Sequence, residues 1–528
     1  MLVALVHVTM INEKETVTNV YKGDVAMTND KQEINNIYKD LYLEVSDLRK
    51  NVYKDGQQIY ASWDPSTLRE DFKEAALNFA YYVALRRRDI RNLQLKLGNL
   101  GLSSLGRLEG HVLSTLDLVA YHLAKSANMP KVDIPEHMTK TSQGHGSTLD
   151  QLTNDFFGPG AEDRYSRMMV TMPNEAATDQ DLVDRMVEAG LDVARINCAH
   201  DDVSTWRKMV ENIHQAGKKY DRDIKIFTDI AGPKVRIQAI YTTLQNPKLY
   251  EGDSFFLTSD TVLKDFYDSE IVLSCPIPKI IQDLKIDEAV SLDDGKIIGQ
   301  VQKTYPEGVK IRITQMASNG KKVKATKGIN FPDRELNIPV LTDKDIDDLA
   351  FSKEAADVIG FSFVHNLEDV RHINQVMADK VTKDQDKLAT IKLETVSGFE
   401  NLINIIIEAN RYRPTGIMIA RGDLAVEVGY LRLSVVQEEI LWFCEAAQIP
   451  VIWATQVLES LVKSGVPSRA EISDVSMGSR AECVMLNKGE HILEGINLLR
   501  SILEDIDEHQ FKKTALMKQL NVANTIFE

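Results

Sequence analysis

The sequence predicts an α/β protein: a (β/α)8 TIM barrel carrying an inserted small β domain and preceded by a helical N-terminal region. Three observations predict it. Eight short apolar runs recur after about residue 166, separated by helix-like stretches, and strands alternating with helices argue for a parallel sheet. One wide gap between the third and fourth runs has a different, β-like texture. The chain on either side of that gap, residues 166–236 and 330–506, totals about 250 residues, the usual size of such a barrel.

In chain order, residues 1–165 form the helical region with its linker. Phe72, Ala76, Phe79 and Val83 recur with a 3.6-residue period, and Leu105, Leu108, Val112, Leu116, Val119 and Leu123 form a second stripe. The intervening Gly98–Gly106 stretch is a loop in which Ser103 or Ser104 is expected to cap the second helix. Arg86, Arg87 and Arg88 read first as a solvated helix face and second as an anion site. Glycines 144, 146, 158 and 160 mark 139–160 as a linker.

The strand runs are Met168–Val170, Val193–Ile196, Ile224–Phe227, Val358–Phe363, Leu388–Leu393, Ile417–Ala420, Val451–Ala454 and Cys483–Leu486. The insert, 237–329, alternates through Ser254–Thr258, Glu270–Ser274 and Val309–Ile313, with turn signals at Asp293–Gly295 and Ser318–Gly320. Residues 507–528 are expected to be a short polar tail.

Composition narrows the function. Of 528 residues, 43% are hydrophobic and 27% charged, and the net charge is −16. That excess of acid argues against a broad nucleic-acid or anionic-membrane surface. Cys198, Cys275, Cys444 and Cys483 show no zinc spacing and no disulfide framework, which suits the cytoplasm. The apolar run Leu2–Ile11 lacks a basic leader and is not read as a signal peptide.

Catalytic groups of these barrels come from the C-terminal ends of strands. The ends here supply Arg195, Asn197 and His200; Asp229, Lys234 and Arg236; Lys392 and Glu394; Gly422 and Asp423; and Thr455. Lys392 and Glu394, two apart, share one face of their strand. Carboxylates without soft ligands suit Mg²⁺ or Mn²⁺, Arg195 suits a phosphate oxygen, and a lysine beside a metal suits an enolate or a transferring phosphoryl group. The residues alone lead to a metal-assisted enzyme acting on a phosphorylated or enolisable small acid. Bland readings stand beside these: Glu394 as a salt-bridge partner of Lys392, Asp229 and Asp294 as turn residues, His200 as a surface histidine, and Lys310, Arg312, Lys321, Lys322 and Lys324 as a solvated sheet face.

Seven stretches carry a resemblance: Val193–Asn197, Asp229 with Gly232–Arg236, Lys327–Pro332, Lys392–Glu394, Ala420–Leu424, Ala454–Ser460 and Pro467–Val475. In this order they resemble pyruvate kinases over about residues 166–505. The resemblance implies an Mg²⁺-dependent phosphotransferase of glycolysis that converts phosphoenolpyruvate and ADP to pyruvate and ATP. It implies that Lys392 stabilises the enolate and the phosphoryl charge, with Arg195 gripping the phosphoryl group. Glu394 and Asp423 would hold the metal, and Gly422, Asp423 and Thr455 the substrate carboxylate. Asn197 and Asp229 match the monovalent-cation region, His200, Arg236 and Lys327 the nucleotide phosphates, and Asp294 the lid. The family's C-terminal allosteric domain has no counterpart in this sequence, so control through it is not expected.

Departures from the family pattern fall on the nucleotide and monovalent-cation side. Ala199 and Ile230 stand where hydroxyl residues are usual, Ala231 replaces a lysine, and His365 replaces an arginine. Thr171–Ala176 and Asn487–His491 are altered loops. With Lys234 after Gly232–Pro233, the expectation is that K⁺ is not required. Two other readings remain at this stage: a related metal-dependent enzyme acting on phosphoenolpyruvate or oxaloacetate, and a non-catalytic metabolite sensor. The sequence leaves a homo-oligomer open.

Overall fold

The structure is a computed structural model and describes residues 31–130, 133, 135, 148–161, 164–334, 338–381 and 387–515. The run Leu2–Ile11, residues 139–147 of the expected linker and the end of the expected tail lie outside the described residues. The chain falls into two compact units, Met1–Ser66 with Lys73–His145 and Thr67–Phe72 with Gly146–Glu528.

The first unit is helical. Lys31–Ser62 packs on Lys73–Arg86 and on Val112–Ser126, with Arg91–Asn99 alongside. The two sequence stripes meet here: Ala76 and Phe79 are buried on one helix, and Leu116, Val119 and Leu123 on the other. The loop between them differs from expectation. Val112–Ser126 begins after His111 with no side-chain cap. The Ser103 hydroxyl instead accepts from the amide of Leu105, whose φ is +60°, so Leu105 and Leu108 belong to the turn. Arg88 pairs with Asp55 and Arg86 donates to the Tyr82 hydroxyl at 2.9 Å, a solvated helix face.

In the second unit eight parallel strands close a barrel. They are β1 (Arg167–Thr171), β2 (Val193–Asn197), β3 (Lys225–Ile230), β4 (Val358–Phe361), β5 (Leu388–Leu393), β6 (Thr415–Ala420), β7 (Val451–Ala454) and β8 (Cys483–Leu486). Each pairs with its sequence neighbours, and β1 closes on β8 through Arg167–Cys483 to Val170–Leu486. Residues read as linker include a helix, Thr148–Phe157, with Leu149, Leu152, Phe156 and Phe157 buried. Phe156 and Phe157 cluster with Val193, Val358 and Cys483, the first residues of β2, β4 and β8. The helix therefore plugs the N-terminal end of the barrel, opposite the end where catalytic groups gather. The last barrel helix runs Ile492–His509, and a small two-stranded ribbon, Gln510–Phe511 with Thr514–Ala515, follows it.

Between β3 and β4 lies the insert. Seven of its strands form one sheet in the order Ile329–Asn330, Ala289–Leu292, Ile297–Tyr305, Gly308–Met316, Ser254–Thr258, Ile271–Ser274, Ala239–Thr242, and Lys248–Leu249 pairs separately with Lys321–Lys322. They enclose their own apolar core, including Phe255, Leu257, Leu273, Val290, Ile311 and Phe331. Inward and outward residues alternate along Ile297–Tyr305 and Gly308–Met316, the period-2 pattern of a half-buried sheet. The turn Asp293–Asp294–Gly295 has φ of +53°, +55° and +80°.

Candidate active site

The strand ends bring a dense ionic cluster together. Asp229, at the end of β3, is buried between two cations. Arg195 on β2 donates to its Oδ2 through Nε at 2.8 Å and Nη2 at 2.5 Å, and the Lys392 ammonium lies 3.2 Å from its Oδ1. Arg195 also reaches the Thr171 hydroxyl at 2.7 Å. Burial pushes the Asp229 carboxyl up, but Lys392 and Arg195 outweigh it and hold it below the usual carboxylate range. An anionic partner therefore stays in place beneath the two cations.

Lys392 is aimed by three groups: the Ser362 hydroxyl at 2.8 Å, Asp229, and Glu394 at 3.3 Å. Burial works against its charge, but Asp229 and Glu394 outweigh burial and hold the ammonium above the usual lysine range. It is a fixed positive charge. Glu394 accepts from the Phe363 amide at 2.7 Å, and Phe363 has φ of +56°. Burial raises the Glu394 carboxyl, and nearby Asp423 adds to that rise against the pull of Lys392.

Asp423 sits in the first turn of helix Arg421–Val428, which starts directly after β6 and has no side-chain cap. Uncapped amides at a helix start favour an anionic ligand group. Thr455 follows β7 with φ of +72°, a left-handed conformation that costs a β-branched residue on the order of 1–3 kcal/mol. Arg421 holds this turn by donating to the Ala454 and Thr455 carbonyls at 3.0 and 2.6 Å. A Cβ on Gly422 would come within 2.7 Å of Thr455 Cγ2, so only glycine lets the helix start and the strained turn approach this closely.

The remaining sequence candidates are more dispersed. Asn197 ends β2 in register with Asp229, and its side-chain oxygen accepts from Ala199 at 3.1 Å. Burial holds His200 below the usual histidine range, assisted by Lys488 and Arg236. Arg236 donates to the Thr326 carbonyl at 3.0 Å. Lys327 pairs with Asp293 inside the insert at 3.2 Å, not with the Lys392 cluster. Lys234, expected to make K⁺ dispensable, contacts Asp423, at 2.9 Å from Oδ1 and 3.0 Å from Oδ2. Its long flexible stem let spacing place the ammonium in either direction. Ser362 and Thr171 were missed, each being a single hydroxyl at the end of an apolar run. Glu427 was missed too, although its position four residues after Asp423 puts both on one helix face. Asn330 links the two, donating to Glu427 at 3.2 Å and toward Asp423 at 3.5 Å.

Glu394 and Asp423 fit a hard divalent cation: both offer carboxylate oxygens, and they lie near enough to repel each other, which a cation would relieve. Among the described residues no group of three or more His, Cys, Asp or Glu could hold a metal, so further oxygens would come from substrate or water.

Against known families, residues 164–492 match the family described as "Pyruvate kinase, barrel domain", more than half of the chain. The chain belongs to the pyruvate kinase family. It is 30% identical to a pyruvate kinase of Bacillus licheniformis over 353 residues, 65% of this chain and 57% of that protein. It is 31% identical to one of Mycobacterium intracellulare over 318 residues, 59% of this chain and 63% of that protein. The chain therefore spans less than two thirds of these two curated pyruvate kinases. A crystal structure of a pyruvate kinase from Cryptosporidium parvum superposes with a TM-score of 0.58 at 26% identity, covering 67% of this chain and 72% of that one. Among the described residues no helix is long and apolar enough to cross a membrane.

Proposed function

We propose that the protein is a pyruvate kinase-like phosphotransferase that moves the phosphoryl group of phosphoenolpyruvate to ADP, giving pyruvate and ATP. The observation that carries this reading is the buried Lys392 ammonium held among Ser362, Asp229 and Glu394, with Arg195 sharing Asp229. In the reaction the bond between phosphorus and the enol oxygen breaks, a bond to the terminal oxygen of ADP forms, and the enolate takes a proton on carbon. Two fixed cations beside one buried anion suit a reaction whose charge spreads over phosphoryl oxygens and the departing enolate. In this reading Lys392 meets the enolate oxygen and Arg195 the phosphoryl oxygens. The uncapped start of helix Arg421–Val428, with Thr455, suits the substrate carboxylate.

Glu394 and Asp423 would hold Mg²⁺ or Mn²⁺, which supplies Lewis-acid polarisation of the substrate oxygens. We read K⁺ as not required, because Ala199 and Ile230 offer no side-chain oxygens and Lys234 already supplies a tethered cation at this mouth. Lys488 and Arg236, beside His200, supply positive charge suited to nucleotide phosphates. Four cysteines without a disulfide fit a cytoplasmic enzyme.

The test follows pyruvate release with phosphoenolpyruvate plus ADP, plus other nucleoside diphosphates, and without nucleotide. Mg²⁺-dependent release with ADP, lost in Glu394→Ala and Asp423→Ala, is expected. Nucleotide-independent turnover would favour a related phosphoenolpyruvate enzyme, and ligand binding without turnover would favour a sensor.

A further inference from the structure

Lys234 leaves the barrel just before the insert, and the insert returns to meet it. Its ammonium bonds both oxygens of Asp423 and, at 3.1 Å, Oδ1 of Asp294 in the insert turn. The side chain is largely enclosed. A Cβ on Gly328, on the returning chain, would lie 2.7 Å from Lys234 Cε, so the glycine there admits the lysine stem. The ring of Phe363 stands 6.0 Å from the ammonium, and the Phe363 amide holds Glu394. The turn is seated as well: a Cβ on Gly295 would lie 3.0 Å from Val426 on the Asp423 helix.

A charge-assisted contact to both oxygens of a carboxylate competes with a divalent cation for the same negative charge and the same approach.

We propose that Lys234 is the resident counter-ion of Asp423, displaced when the divalent cation binds, and that Asp294 positions it from the insert, making the lysine a latch between insert and barrel. This rests on the reading of Glu394 and Asp423 as the metal-holding pair. Metal binding then does two things at once: it takes Asp423 from the lysine, and it frees the insert turn from the barrel helix.

The test uses the full chain without substrate. Mn²⁺ binding is measured by electron paramagnetic resonance, and hydrogen exchange is followed at the 293–295 turn. Lys234→Met is expected to bind Mn²⁺ about tenfold tighter, the scale of one lost charge-assisted competitor, and to exchange faster at the turn without metal. Asp294→Asn breaks only the insert end: exchange at the turn rises, while Mn²⁺ affinity stays within about twofold of wild type. In wild type, Mn²⁺ alone is expected to raise exchange at the turn. Lys234→Met with unchanged or weaker Mn²⁺ affinity overturns the competition. Unchanged exchange at the turn in both variants overturns the latch. Absence of Mn²⁺ binding in wild type and Lys234→Met alike overturns the metal assignment and the competition with it, while the exchange data still decide the latch. Lys234→Arg, which keeps the charge, should stay near wild type in both readouts and separates loss of charge from misfolding.

Discussion

Lys392 and Glu394 were legible at the residue scale because two positions on one strand share a face, and the structure brings them within 3.3 Å. What spacing did not reveal is the hydroxyl of Ser362, hidden in an apolar run, and the direction taken by flexible Lys234. Lys392→Met should lower kcat by at least about a thousandfold while changing phosphoenolpyruvate affinity only a few-fold, because a charge aimed at the transition state acts mainly on kcat. Steady-state kinetics with a direct binding measurement checks this. A raised KM at unchanged kcat would remove Lys392 from that role. A second expectation concerns Glu427, whose carboxyl burial pushes up to about 7, with Asp423 adding to the rise against the Asn330 hydrogen bond. An unfolded glutamate titrates near about 4.3, so the folded state holds an extra proton between the two values. The stabilisation is fully present below pH about 4 and is lost as pH rises through about 7. Without metal, the unfolding free energy of wild type from denaturant titration should fall from pH 5 to 8 relative to Glu427→Gln, by on the order of 1–3 kcal/mol. Parallel profiles would show that Glu427 does not hold that proton.

Among elements, apolar runs named every barrel strand, and three matched to the residue: Leu388–Leu393, Val451–Ala454 and Cys483–Leu486. Such strands are buried on both faces, so they read as continuous apolar stretches. Three helices of the N-terminal 165 residues escaped notice, among them Arg91–Asn99, which overlaps the expected loop. Lys31–Ser62 buries only a narrow stripe, Leu41, Val45, Leu48 and Val52, in an otherwise polar sequence. Thr148–Phe157 is short and ends at Gly158, so its flanking glycines outweighed its period. Its role is checkable. Phe156→Ala should cost about 3–5 kcal/mol, the range for emptying a buried phenylalanine site. Because the plug lies at the far end of the barrel, the folded variant should keep wild-type kcat. A calorimetric scan and a rate at low temperature measure the two separately, and a stability loss under 1 kcal/mol would mean the barrel end closes without it.

For the whole molecule, the proposal that Lys234 makes K⁺ dispensable is checked by ion replacement. In K⁺-free buffer with tetramethylammonium, the wild-type rate should rise less than about tenfold on adding K⁺, a limit of about 1.4 kcal/mol in the barrier. Lys234→Glu should become dependent on K⁺. A larger wild-type response would mean that the oxygens lost at Ala199 and Ile230 are replaced by others. The four cysteines carry a consequence of a different kind. All are buried, and burial raises each thiol, Cys275 to about 11. A thiol in that state scarcely reacts with alkylating reagents, so the native molecule is chemically silent and modification waits on opening. Cys275 lies in the insert core, whereas Cys198 follows β2, Cys444 lies on helix Tyr430–Ala446 and Cys483 starts β8. Mass-resolved alkylation in rising denaturant would therefore time-stamp the two openings separately, with no probe added to the chain.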